Sequence, residues 1–426
     1  MAAEVENRWT WPRLGGWSLV ALGLAALNII ARISWYPVVV SDYIYFVKPW
    51  FEELRTHPGL TAFGSPFADY APGYLYLLKF LTVIPVSSLI SAKTLSFAFD
   101  LLIAYFGYLI LARTSRRAAR KDILVLAALV LLSLPTVMMN SSLWGQSDSL
   151  YSAGVMATLY FMLAASPLAA AIAYGAAISF KAQALFFAPV FIGYFLRERA
   201  NWKFLLIPPL LFVLSVIPAW IAGGSLGYWL FIYLVQAEKY PYLSVSAQSL
   251  FAFLQPLALS ETATNIFFWL GLLAAAGAAA AIIYIMKWQG KLSAQFVVLI
   301  SLASTLLIPY LLPRMHERYF YLADILSVLY AFFRPNRWFI PVLVVGTSLA
   351  SYMPFLSQQV DFLSWAQVDL RIPAAILLIP IGFVLLDVWQ SWKSATHSQV
   401  KRDGVRYPHA KDRNRRIAEC GEVHAF

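Results

Sequence analysis

The stretch SDYIYFVKPWFEELRTHPGLTAFGSPFADYAPGYLYLL, residues 41–78, follows the first strongly apolar run of the chain. It carries Asp42, Glu52, Glu53 and Asp69 and is punctuated by proline and glycine. Its continuation, GYLYLLKFLTVIPVSS (73–88), decides the fold, because every later loop changes side according to whether this piece crosses a membrane or lies along it. As a crossing, it puts the basic cluster RTSRRAARK (113–121) on the same side as 41–72. As a surface helix, it sends that cluster to the opposite side. The enrichment of Lys and Arg in cytoplasmic loops selects the surface helix. With that choice, 22 of the 32 Lys and Arg fall on the N-terminal segment and on 113–121, 197–203, 287–291, 334–337 and 393–416, all cytoplasmic.

Lipid is required as solvent by composition. The 426 residues are 61% hydrophobic and 12% charged, against about 45–50% apolar and about 25% charged in soluble domains. A span needs about 20 mainly apolar residues. Twelve stretches qualify: 16–36, 91–112, 123–140, 148–165, 167–181, 183–196, 204–222, 264–286, 294–312, 319–333, 338–354 and 372–391. The pair 167–181 and 183–196 is short and reads as a helix broken near Lys181. The expectation is an all-α polytopic membrane protein, a single transmembrane domain over 1–392 with about twelve transmembrane helices and both termini cytoplasmic. A first outer loop spans 37–90 and a second 223–263, the latter opening on the interfacial run YWLFIYLV (228–235). A basic tail, 393–426, reads as disordered and lipid-facing. It explains most of the net charge of +11 without nucleic acid. The lone Cys420 excludes a disulfide framework, and the five histidines show no HxH or HExxH spacing. No cofactor is expected; a divalent metal is compatible but nothing in the spacing requires one. The halves show no matching pair of Gly/Pro-interrupted spans of the kind found in inverted-repeat transporters.

Four clusters carry chemistry, all on the outer side in this topology. Asp42 precedes an amphipathic run in which Ile44, Val47, Phe51 and Leu54 recur at helical spacing, so 43–55 reads as a helix lying on the membrane. Asp42 itself reads as a helix N-cap or as a general base. Asp69, in FADYAPGY (67–74), reads as a turn-capping aspartate or a site residue. Lys181, in SFKAQALFFAP, costs roughly 2.5–3.5 kcal/mol at a helix centre on insertion scales. It therefore either snorkels or faces an anion. Arg314, His316, Glu317 and Arg318, in RMHERYF (314–320), form either an interfacial ion-pair cluster or an anion site with two arginines on one helix face.

An acid at the outer surface beside Lys, Arg and His suits a reaction on a phosphate-bearing lipid. A sugar phosphate departs as a phosphate that is stable near neutral pH, so one carboxylate base suffices to deprotonate the acceptor. Cations offset the charge that develops on the departing group. The outcome is an inverting displacement in which a good leaving group replaces one carboxyl of the usual glycosidase pair.

Six strings, SDYIYFVKPW (41–50), DYAPGYLYLL (69–78), FDLLIAY (99–105), WGQSDSLY (144–151), SFKAQALFFAP (179–189) and MHERYFYLAD (315–324), occur in the order found in a known family. Over residues 17–333 the chain resembles the GT-C superfamily of polyprenyl-phosphate-sugar-dependent glycosyltransferases, in the branch of the GPI mannosyltransferases and dolichyl-phosphate-glucose glucosyltransferases. The resemblance implies a GT-C-type fold whose first outer loop carries membrane-parallel helices and the active site. It implies Asp42 as catalytic base, and Lys181, Arg314, His316 and Arg318 at the donor phosphate. Asp69, Tyr70, Gln146, Asp148 and Glu317 are implied near the sugar or acceptor, although Ala71 stands where the family often has proline. The implied partners are a polyprenyl-phosphate-linked sugar donor, a lipid-linked glycan or other acceptor, and membrane lipid. The implied location is the inner membrane of a bacterium or the endoplasmic reticulum of a eukaryote. A transporter or flippase for a lipid-linked saccharide is the alternative.

Overall fold

A computed structural model describes residues 16–114, 121–197, 199–290 and 292–404. The described chain is almost entirely helical. The first helices are α1 (Gly16–Trp35), α2 (Lys48–Thr56), α3 (Pro72–Leu81), α4 (Ser88–Thr114), α5 (Lys121–Leu132) and α6 (Pro135–Met138). They are followed by α7 (Asp148–Leu163), α8 (Pro167–Phe180), α9 (Ala188–Leu196), α10 (Ile207–Ile221), α11 (Leu226–Leu230) and α12 (Ile232–Glu238). The chain continues through α13 (Glu261–Trp288), α14 (Ala294–Leu311), α15 (Tyr321–Phe333), α16 (Phe339–Leu356) and α17 (Arg371–Gly404). The only strands among the described residues are β1 (Ser244–Val245) and β2 (Met315–His316), paired in parallel.

Seven helices are long and apolar enough to cross a membrane, eight if the pair bent by 53° between α5 and the segment Pro135–Trp144 counts as one span. The chain is therefore a polytopic membrane protein. A helix occupies each of the twelve apolar stretches. Those at 148–165, 167–181, 183–196 and 319–333 fall short of a full crossing length. Helix α3 has ten residues, about 15 Å at helical rise, too short to span a hydrocarbon core of about 30 Å. The break expected near Lys181 is present: α8 stops at Phe180, Lys181 is extended, and a 3₁₀ turn over Ala182–Phe187 leads into α9. The tail boundary at 393 is corrected, since α17 runs on to Gly404; the rest of the tail, 405–426, lies outside the described residues.

The main core is built around α7, α14 and α15, with α4, α5, α8 and α9 packed about them. The first large loop has a core of its own. Trp50, Phe51 and Leu54 of α2 pack with Tyr74, Leu75 and Leu78 of α3 and with Phe63 and Trp229. A wide π-helical turn over Tyr43–Val47 precedes α2 and shifts its register. The buried stripe of this stretch is consequently Val47, Trp50, Phe51 and Leu54, while Ile44, expected on the apolar face, is 48% exposed.

Two contacts fix how the loop joins the bundle. The buried Lys93 of α4 donates to the carbonyls of Trp35, Tyr36 and Val38 at 2.9, 3.1 and 2.7 Å, satisfying the end of α1 just ahead of Asp42. Gly73 at the start of α3 lies so close to α8 that an added Cβ would stand 2.5 Å from the Ser179 carbonyl oxygen. Because that neighbour is backbone, Gly73→Ala should cost about 1–3 kcal/mol. Thermal unfolding of the purified protein measures this, and an unchanged midpoint would refute the close docking of α3 on α8.

Candidate active site

Asp42 sits at the entry to the π-helical turn, but its side chain makes no capping hydrogen bond. Its Oδ2 instead accepts from Trp144 Nε1 at 3.0 Å and Gln146 Nε2 at 2.6 Å, with Arg318 4.0 Å away. Among the described residues no donor is hydrogen-bonded to its other oxygen. Trp144 closes a second π-helical turn, Met139–Trp144, and Gln146 follows just past its C-cap Gly145, whose φ is 79°. A left-handed residue there reverses the chain at low cost only as glycine. The reversal brings Trp144 and Gln146 to the same carboxylate. Trp144 is itself locked by stacking on Phe355, with centroids 4.7 Å apart.

Asp42 borders a cavity of about 250 Å³ whose lining includes Asp69, Tyr70, Gln146, Lys181, His316, Glu317 and Arg318. That volume is below the roughly 300–1,000 Å³ of drug-sized sites, so it suits one small polar head group. Tyr70 stands between Trp50 and Tyr74, and its ring faces Lys181 Nζ at 5.4 Å. Asp69 caps nothing: its Oδ2 meets Lys239 Nζ at 2.5 Å, and its Oδ1 is buried without a hydrogen-bond partner.

Two predicted residues are placed differently. Asp148, the first residue of α7, does not reach the cavity. It is wholly buried beneath it, accepting from Asn140 Nδ2 at 2.8 Å and Lys181 Nζ at 2.6 Å, with Arg318 Nε 3.5 Å away. Arg314 does not line the cavity either. Residues 314–320 are not helical, because β2 pairs with β1 and a turn leads into α15. Arg314 takes a positive φ of 62°, donates to the Ala237 carbonyl at 2.8 Å and lies over Phe268. The shared helix face expected for Arg314 and Arg318 therefore does not exist.

The charges nearly cancel. Lys181, Lys239 and Arg318 face Asp42, Asp69, Asp148 and Glu317. Glu317 holds an ion pair with Arg318, yet burial pushes its carboxyl upward against the opposing pull of that guanidinium. Burial also drives His316 well below the ordinary imidazole range, aided by Arg318, Lys181 and Lys239. His316 is thus pushed toward its uncharged form and does not add a fourth cation, and its ring is held by Tyr240 and Tyr319. Among the described residues no three His, Cys, Asp or Glu side chains gather as a metal cage.

Sequence reasoning missed Lys239, Tyr240 and Gln183 in the lining. The first two reach it because β1–β2 pairing seats the loop 239–246 on 315–316; no local motif marks that pairing. The arrangement can hold a carboxylate ready for proton transfer across from cations that receive an anion. Because Lys181 is 3% exposed and pairs with a fully buried Asp148, Lys181→Met alone should destabilise by about 3–5 kcal/mol. Adding Asp148→Asn should restore part of that loss. A double-mutant cycle on unfolding midpoints checks the coupling, and strictly additive losses would contradict it. Compared with known proteins, the chain matches no family model and no curated sequence.

Proposed function

We propose that the protein is an inverting glycosyltransferase that moves a hexose, mannose or glucose, from a polyprenyl monophosphate carrier to an acceptor hydroxyl. The reading places the site on the membrane face opposite the basic loops, with a GT-C-type architecture in which the shorter apolar helices complete about twelve spans. One observation carries it: a carboxylate oriented by Trp144 and Gln146 borders the same small cavity as Lys181 and Arg318.

In this scheme the acceptor hydroxyl gives its proton to Asp42 as its oxygen attacks the anomeric carbon. The bond from that carbon to the phosphate oxygen breaks, and its electron pair leaves with the polyprenyl phosphate. A single displacement inverts the anomeric centre. Lys181 and Arg318 balance the single negative charge that the donor phosphate brings into the cavity. Asp148 holds both cations in place from below. Asp69, Tyr70, Gln146 and Glu317 supply polar contacts for the sugar and acceptor. The aromatic wall of Trp50, Tyr70 and Tyr74 offers apolar ring faces to a sugar.

The test is transfer from a labelled polyprenyl-phosphate hexose to a lipid acceptor by the protein in nanodiscs. Asp42→Asn should lower the rate by about 10²-fold or more, with the unfolding midpoint unchanged. Full activity in that variant removes Asp42 as base. Movement of the donor across vesicles without transfer would favour a transporter.

A further inference from the structure

The three cations of the cavity are held very differently. Lys181 is almost fully buried against Asp148. Arg318 is bound by Glu317 and flanked by Asp148 and Asp42. Both are fixed in a low-dielectric knot where separating charges is costly. Lys239 is 37% exposed and has one carboxylate partner, Asp69, which is 20% exposed, so this pair is the most open of the cavity's ion pairs and the least costly to exchange. It stands on the C-terminal end of α12, with Nζ 4.2 Å from the centre of the Phe46 ring, on a flexible four-carbon stem. It also lies close enough to depress the His316 imidazole, so its charge is felt across the cavity.

Charge changes during the proposed reaction, on which this inference rests. The donor phosphodiester carries one negative charge. When the sugar–oxygen bond breaks, the electron pair stays on the phosphate, giving a monoester whose second ionisation lies near pH 6. The acceptor proton ends on Asp42. The phosphate side of the cavity therefore gains one negative charge that the donor lacked. Lys181 and Arg318 are already committed to carboxylates, and Arg314 lies outside the lining.

We propose that Lys239 is the cation that meets this added charge: it rests on Asp69 between turnovers and changes partners to the phosphate monoester as the leaving group forms. The site is thereby selective for the product-side phosphate over the donor-side diester. Asp69 is the parking position that keeps the ammonium beside the cavity.

The test measures binding of a polyprenyl monophosphate and of its methyl phosphodiester to the full chain in nanodiscs at about pH 8, where the monoester is doubly charged. Lys239→Met should weaken monoester binding about tenfold and leave diester binding within about twofold. Asp69→Asn, which releases Lys239, should tighten monoester binding by roughly two- to fivefold. Lys239→Arg guards against a folding artefact and should bind the monoester better than Lys239→Met. Equal losses for both ligands, no loss for either, a weaker Asp69→Asn complex, or an Arg variant no better than Met would each overturn the proposal. If transfer is absent from the wild type while the selective loss at Lys239 is seen, the transferase reading fails and the phosphate assignment stands. If transfer occurs and the loss is unselective, only the assignment of Lys239 fails.

Discussion

Charge buried in a low-dielectric interior has to be neutralised where it lies, and Asp148 is the residue on which this constraint acts hardest. It has no exposed surface. It opens α7, where the unpaired amides of a helix start favour a negative group. Lys181 at the break after α8, Arg318 in the turn before α15 and Asn140 in the turn before α7 all converge on it. Three chain segments far apart in sequence, 140–148, the break at Lys181 and the turn at Arg318, are registered by one carboxylate, and the floor of the cavity is the product. Two more such knots pin the bundle elsewhere. Arg32 of α1 reaches Asp100 of α4 together with Ser141 and Ser142. Asp387 of α17 takes a fork from Arg337. Between helices surrounded by lipid, apolar contact gives little preference for one pairing over another. Ionic knots supply the positional information here.

Much of this was readable in the chain. Charge bias argued against a crossing at 73–88, and α3, with ten residues, is too short to cross. The interruption at Lys181 followed from a lysine set in apolar sequence. Asp42, Asp69, Lys181, His316, Glu317 and Arg318 were singled out from the residues, Tyr70 and Gln146 came from the family resemblance, and all eight border one cavity. The misplacements have a shared cause. Residues 314–320 stand at the head of an apolar stretch and were read with its helical period, whereas their backbone is set by pairing with residues some seventy positions earlier. That pairing sent Arg314 away and brought Lys239 and Tyr240 in. Likewise, the π-helical turn at Tyr43–Val47 rotated the apolar stripe away from Ile44, a change of period that composition does not announce. Asp148 looked like its neighbour Gln146 on paper; only packing separates a residue that lines a cavity from one that supports it.

The site also divides into a rigid side and a looser one. Asp42 is clamped by an indole, itself stacked on Phe355, and by an amide, on a segment whose entry is tied down by Lys93. Opposite it, the loop carrying Lys239 is held by a two-residue strand pair, one exposed ion pair and a carbonyl contact from Arg314. In the proposed reaction, proton transfer depends on positions held to fractions of an ångström, whereas admitting and releasing a lipid head group requires a wall that yields. The distribution of contacts matches those two demands.

The β1–β2 pairing has a consequence for biogenesis. Synthesis runs from the N-terminus, so Asp42, its two clamping side chains and the Asp148–Lys181 pair all emerge before any of β2. Until α14 has been inserted and residues 315–318 follow it, the second large loop has no strand to dock on, and Arg318 is absent from the knot. The cavity therefore closes as one of the last events of assembly, and a chain arrested before α14 would lack Arg318, the strand that seats the second large loop and the Phe355 ring that locks Trp144 over Asp42.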